Sequence, residues 1–200
     1  MSLPGGRVRV AVMISGAGSN MAALIDAGQA ADSAFEVALV VSNDPDAGGL
    51  AIAAAKGIPT LAVDHRPFGK DRQAHEAALQ AGLEARGIEV IALAGYMRLL
   101  TPFLVQRWEG RMLNIHPSLL PRYPGLDTHA RALAAGDVEA GCTVHLVTEG
   151  LDEGPILDRQ AVPILPGDTP ATLAQRVLTA EHALYPRALA DFCRARIITS

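Results

Sequence analysis

The sequence predicts an α/β fold, a Rossmann-like, mostly parallel sheet flanked by helices, and three observations carry that expectation. Short β-branched runs alternate with Ala-rich helical segments at the spacing of βαβ units. Half of the 200 residues are hydrophobic and 19% are charged, the balance of a packed core and not of a disordered chain. A glycine loop, Ser15-Gly16-Ala17-Gly18-Ser19-Asn20, follows the first apolar run directly and leads into a helix, where free backbone N–H groups bind phosphate. A chain of this length buries roughly 70% of its unfolded surface, so residues 1–200 read as one domain.

The elements follow in order. A Val-rich strand at 8–14 precedes a helix at 20–30, and the pairs 35–42 with 48–56 and 60–63 with 70–86 repeat the alternation. Residues 90–94 supply a fourth strand, Thr101-Pro102 reads as an N-cap with Pro at N1 of a short helix, and 112–115 supply a fifth strand. Pro117 and Pro121 then stop regular structure and stiffen the loop. A helix begins after Asp127-Thr128 and ends at Gly136. Residues 142–147 set Thr143, His145 and Val147 against Cys142, Val144 and Leu146, a strand with two chemically distinct faces. A strand at 160–165 and a long helix at 170–184, capped by Asp168 or Thr169, complete the order.

Composition excludes several functions. The net charge of −4 and the lack of any Lys or Arg run leave no footprint for nucleic acid. The first apolar run is too short for a signal peptide core or a membrane span, so no membrane partner is expected. Cys142 and Cys193 lie far apart without C-x-x-C spacing, which indicates neither zinc nor a disulfide framework and suits the cytoplasm. Six histidines without i, i+4 pairing or a Cys partner argue against a metal site; His65, His75, His129 and His182 read as surface residues.

The chemistry concentrates in three places. Asn114 and His116 share one face of a strand end, placing a carboxamide and an imidazole in one small volume, although strand-end hydrogen bonding accounts for such a pair equally well. The glycine loop has Met21 where a third glycine would complete a dinucleotide fingerprint, and no acidic residue ends the second strand, so NAD is not expected; a monophosphate fits better, with a plain tight turn as the alternative. The loop Glu149-Gly150-Leu151-Asp152-Glu153-Gly154-Pro155 lets Asp152 be aimed inward, and a carboxylate beside an imidazole raises its pKa and fixes its orientation. His145 lies on the strand that leads into this loop and is placed to face the same cleft, although a His within a strand reads first as a hydrogen-bonded structural residue.

Three motifs in this order, S-G-x-G-S-N, N-I-H-P-S-L-L-P and L-D-x-G-P, together with Ala94-Gly95-Tyr96-Met97-Arg98-Leu99-Leu100 and the continuation Arg122-Tyr123-Pro124-Gly125-Leu126, resemble the phosphoribosylglycinamide formyltransferase family. The likeness runs from about residue 8 to residue 185, with Ala17, Asp127 and Glu153 as departures from the family pattern. It implies the formyltransferase fold, with a phosphate-binding half over about 1–100 and a catalytic, folate-binding half over about 101–200. The implied reaction transfers the formyl group of 10-formyltetrahydrofolate to the amine of glycinamide ribonucleotide in purine synthesis, without metal or NAD. Asn114, His116 and Asp152 would be catalytic; Gly18, Ser19, Asn20 and Glu181 would hold the ribonucleotide's phosphate and ribose. Arg72, Met97, Arg98, Leu99, Leu100, Asn114, Thr148, Glu149, Gly150, Leu151 and Asp152 would meet the folate. The related tRNA formyltransferases and formyltetrahydrofolate hydrolases carry added domains, so the partners expected here are small molecules, with the chain a monomer or homodimer; transfer to another sugar-linked amine, or hydrolysis of formyltetrahydrofolate, is the alternative.

Overall fold

The computed structural model describes residues 6–199; the lead-in at 1–5, part of the segment read above as untargeted, lies outside them, as does residue 200. Among the described residues seven strands form one sheet in the order β3-β2-β1-β4-β5-β6-β7. They are β1 (Val8–Ile14), β2 (Phe35–Ser42), β3 (Thr60–Ala62), β4 (Val90–Leu93), β5 (Met112–His116), β6 (Glu139–Leu146) and β7 (Ile156–Pro163). Strands β1 to β5 pair in parallel, whereas β6 runs antiparallel to both β5 and β7. The helices are α1 (Ser19–Gly28), α2 (Gly48–Ala55), α3 (Arg72–Glu84), α4 (Pro102–Arg107), α5 (Thr128–Ala134) and α6 (Pro170–Thr199).

Alternation along each strand divides the core in two. Val10, Val12, Val90, Leu113 and Val144 face α1, α2 and α6, while Ala11, Met13, Leu39, Ile91 and Met112 face Leu79 and Leu83 of α3 and Leu104 and Trp108 at α4. From β1 the chain winds outward in one direction through β2 and β3 and in the other through β4 and β5. That reversal opens a crevice at the carboxyl ends of β1 and β4, where open α/β sheets bind ligands.

Three expectations need correction. The last strand lies at Ile156–Pro163 and not at 160–165; only Val162 of it is buried, so no apolar alternation marks it in the sequence. The last helix does not stop at 184 but passes Pro186 and runs to Thr199. Proline inside a helix costs about 3 kcal/mol, yet Leu184, Tyr185, Ala188, Leu189 and Cys193 recur on one face and are all buried. Each such large apolar side chain contributes roughly 1.5–3 kcal/mol, so packing wins. Finally, His75 is not solvated: it is 1% exposed and its Nε2 donates to the Val63 carbonyl at 2.9 Å. His129 and His182 are half-buried, with their Nε2 atoms enclosed.

Candidate active site

The site grows from the pairing of β5 with β6. The register sets Asn114 opposite His145 and His116 opposite Thr143, so all four side chains project from one face of the sheet. Asn114 Nδ2 lies 3.2 Å from His145 Nε2, and His145 Nδ1 donates to the Leu146 carbonyl at 2.9 Å. A neutral His145 therefore carries its proton on Nδ1 and accepts the Asn114 N–H at Nε2, which leaves the second amide hydrogen of Asn114 uncommitted. On His116 the Nε2 atom donates to the Tyr123 carbonyl at 2.9 Å, which turns Nδ1 toward Asp152.

Asp152 sits between the two imidazoles, Oδ2 lying 3.4 Å from His116 Nδ1 and Oδ1 lying 3.6 Å from His145 Nε2. Oδ2 also accepts the Gly125 N–H at 2.9 Å. Burial would raise the Asp152 pKa, but the His145 contact, the Gly125 N–H and the charge of the imidazoles outweigh it and hold the carboxyl below its ordinary value. Each ring has one nitrogen committed to a carbonyl, so the nitrogen facing Asp152 is protonated only in the imidazolium. The three groups are thus arranged to share and pass protons.

Local backbone geometry aims the carboxylate. Asp152 has φ 56°, and Tyr123 and Asp127, in the facing loop, have φ 55° and 57°. Non-glycine residues in this region are sparsely populated and gather at functional sites. The loop ends at Gly154, where a Cβ would stand 1.7 Å from the Leu146 carbonyl oxygen, so only glycine lets the chain return against the end of β6.

The glycine loop forms the neighbouring wall. Gly18 takes φ 76° and a Cβ there would come within 2.9 Å of the Gly49 Cα, which accounts for glycine at the start of α1. Ser19 and Asn20 open that helix, where backbone N–H groups have no intrahelical acceptor. The Asn20 amide donates to Glu181 of α6 at 2.7 Å, while Asn20 Oδ1 is buried without a partner among the described residues. Burial pushes the Glu181 carboxyl up, and the Asn20 hydrogen bond opposes that only in part. The segment after β4 closes the third side, its Met97 N–H donating to Ser15 Oγ at 2.8 Å.

Between these walls lies a cleft of about 680 Å³, within the ordinary range for small-molecule sites. It brings together Asn20, Met97, Arg98, Leu99, Leu100, Asn114, His116, Thr148, Glu149, Gly150, Leu151, Asp152 and Glu181. Gly18 and Ser19 do not line it; they precede the lining residue Asn20 at the start of α1. Arg72 does not line it: the guanidinium donates to the Leu99 carbonyl at 3.4 Å and supports the segment from outside. Sequence reasoning allowed His145 to face the cleft but preferred a structural role for it, and it missed Gly125 to His129 and the α6 residues Ala174, Val177 and Leu178 as lining. The alternation in 142–147 held the signal for His145, since it places that residue on the face of β6 that β5 presents Asn114 to. Among the described residues no group of three His, Cys, Asp or Glu side chains forms a metal-holding cluster, and no helix is long and apolar enough to cross a membrane.

Residues 8–189 match the formyl transferase family. The phosphoribosylglycinamide formyltransferase of Escherichia coli is 43% identical over 190 residues, covering 95% of this chain and 89% of that protein. The trifunctional purine biosynthetic protein adenosine-3 of Drosophila melanogaster is 51% identical over 188 residues; the chain spans only 14% of the length of that relative. The crystal structure of phosphoribosylglycinamide formyltransferase from Brucella melitensis superimposes with a TM-score of 0.90 at 56% identity, covering 94% of this chain and 96% of that one. The chain belongs to the formyl transferase family, in its phosphoribosylglycinamide formyltransferase branch.

Proposed function

We propose that this protein transfers the formyl group of 10-formyltetrahydrofolate to the amine of glycinamide ribonucleotide, giving formylglycinamide ribonucleotide and tetrahydrofolate. The observation that carries the reading is the convergence of Asn114, His116 and Asp152 in a cleft that also reaches Asn20 at the glycine loop. The phosphate sits on the N–H groups of Gly18, Ser19 and Asn20, and Glu181 accepts from the ribose hydroxyls. The pterin enters between Met97, Leu100 and the loop 148–152, mainly on backbone groups, with Arg98 toward the carboxylate tail and Arg72 bracing the segment that carries it.

In the reaction the amine nitrogen bonds to the formyl carbon, and the carbonyl electron pair moves onto oxygen. The uncommitted Asn114 N–H donates to that oxyanion; such a donor contributes roughly 3–4 kcal/mol. The amine then loses a proton, which Asp152 takes up with His116; the oxyanion re-forms the carbonyl, the carbon's bond to the folate nitrogen breaks, and a proton returns to that nitrogen. No residue of the chain is covalently modified and no metal or NAD takes part in these steps. The chain acts as one formyltransferase domain in the cytoplasm, as a monomer or homodimer on small-molecule substrates.

The test mixes the protein with 10-formyltetrahydrofolate and follows tetrahydrofolate release with and without the ribonucleotide. Release that depends on the ribonucleotide is expected. Release without it would make the protein a hydrolase, and release only with a different sugar-linked amine would move the acceptor.

A further inference from the structure

Glu76 of α3 is a carboxylate only 2% exposed, and the chemistry above makes no use of it. Enclosing a carboxylate is unfavourable unless its oxygens are hydrogen-bonded. Both oxygens serve one residue: Oε1 accepts the Thr101 N–H at 2.7 Å, and Oε2 accepts the Thr101 hydroxyl. Thr101 is the N-cap residue of α4, yet its side chain does not cap that helix. The hydroxyl that ordinarily satisfies the first turn is turned back to Glu76 instead.

Thr101 also ends the irregular segment 95–101, which belongs to no strand or helix and carries Met97 to Leu100 along the cleft. The other end is held by Ser15, whose hydroxyl accepts the Met97 N–H at 2.8 Å and whose N–H donates to the Gly95 carbonyl at 3.1 Å. Tyr96, between the two ends, has a buried hydroxyl with no partner among the described residues, so it adds no polar anchor. We propose that Glu76 is a positioning residue for the folate: from behind the cleft its carboxylate fixes Thr101 and thereby the path of the segment that meets the folate. This rests on the reading of the site as a formyltransferase site given above.

The experiment compares wild type, Glu76→Ala, Glu76→Gln and Thr101→Val in the tetrahydrofolate-release assay, with equilibrium binding of tetrahydrofolate and hydrogen exchange of peptides spanning 95–103. Glu76→Ala should raise the folate KM and the tetrahydrofolate Kd about tenfold, with the ribonucleotide KM within about twofold. Exchange should rise in 95–103 and not in the sheet. Glu76→Gln, whose amide accepts from Thr101 N and donates to its Oγ1, should restore folate binding to within about threefold of wild type. A merely structural role predicts equal changes in both KM values and no rescue by glutamine; either result, or an Ala variant with unchanged folate binding, overturns the proposal. If Glu76→Ala does not fold, Thr101→Val removes the hydroxyl alone and should still weaken the folate about threefold, and an unchanged value there is equally fatal. A wild type without ribonucleotide-dependent turnover would instead sink the functional reading, while the tetrahydrofolate Kd series would still decide the role of Glu76.

Discussion

Replacing Asp152 with Asn removes one negative charge from between two imidazoles and changes little else. Asn tolerates the left-handed backbone better than most residues, and its carbonyl keeps the Gly125 N–H that Asp152 accepts at φ 56°. At the 3.4 Å separation from His116 Nδ1, and with an effective dielectric constant of about 20, carboxylate and imidazolium attract by roughly 5 kcal/mol. At about 1.4 kcal/mol per factor of ten, that bounds the kinetic loss at three to four powers of ten. Proton-transfer groups contribute about 10²- to 10⁴-fold, so we expect kcat to fall about 10³-fold with both KM values within about threefold. The assay is tetrahydrofolate release at saturating concentrations of both substrates. In wild type the Asp152 carboxyl is held below 3.8 in the folded state. Its contribution to stability is therefore complete above that pH and lost as pH falls through the lower folded value, so wild type and variant should converge in Tm on acidification. A variant within about tenfold of wild-type turnover would refute the proton-sharing arrangement.

Other outcomes follow from the same geometry. Asn114→Ala should lower kcat by about 10²- to 10³-fold with the melting temperature near wild type, since it removes the oxyanion donor from a half-buried position; steady-state rates and thermal melts check it. Glu181→Gln should raise the ribonucleotide KM several-fold and leave the folate KM unchanged, because the buried carboxylate meets Asn20 at the ribonucleotide end of the cleft. Asp168→Asn should lower Tm at neutral pH, for Arg176 reaches the carboxylate at 2.6 and 3.0 Å and the Leu165 N–H donates to it at 2.7 Å. Those bonds, Arg176 first, hold its pKa well below 3.8, so the Tm difference should be full above that value and be lost as pH falls through the much lower folded value.

Much of the fold was legible because parallel strands buried on both faces announce themselves as apolar runs: β1, β2, β4 and β5 lie within a residue or so of their expected positions. Strand β7 was placed late because it is an exposed strand of the antiparallel hairpin, and its polar residues carry no period. Helix α6 was expected to end at 184, because no local pattern registers the core beneath Leu189 and Cys193 that carries it past Pro186. At the site, the i, i+2 spacing put Asn114 and His116 on one face without deciding between a catalytic and a structural role, and the glycine loop showed from its place after β1. The part of His145 depended on the direction in which β6 returns, and that of Glu76 on a contact with Thr101 across 25 residues of chain. Sequence spacing reports neighbours along an element; these contacts join elements.

The cleft is also ringed by apolar side chains in water. Met97, Leu99, Leu126 and Leu151 are 68%, 63%, 70% and 55% exposed, and they come from three separate loops that meet at the same opening. No single loop could make this collar, and each loop also holds a polar member of the site, Arg98, Gly125 or Asp152. A flat ring system seated there would release ordered water from all three loops together, so its binding should carry a negative heat-capacity change. The collar thereby gives the molecule a thermodynamic fingerprint of occupancy separate from turnover, one that calorimetry reads even in a variant whose chemistry has been silenced.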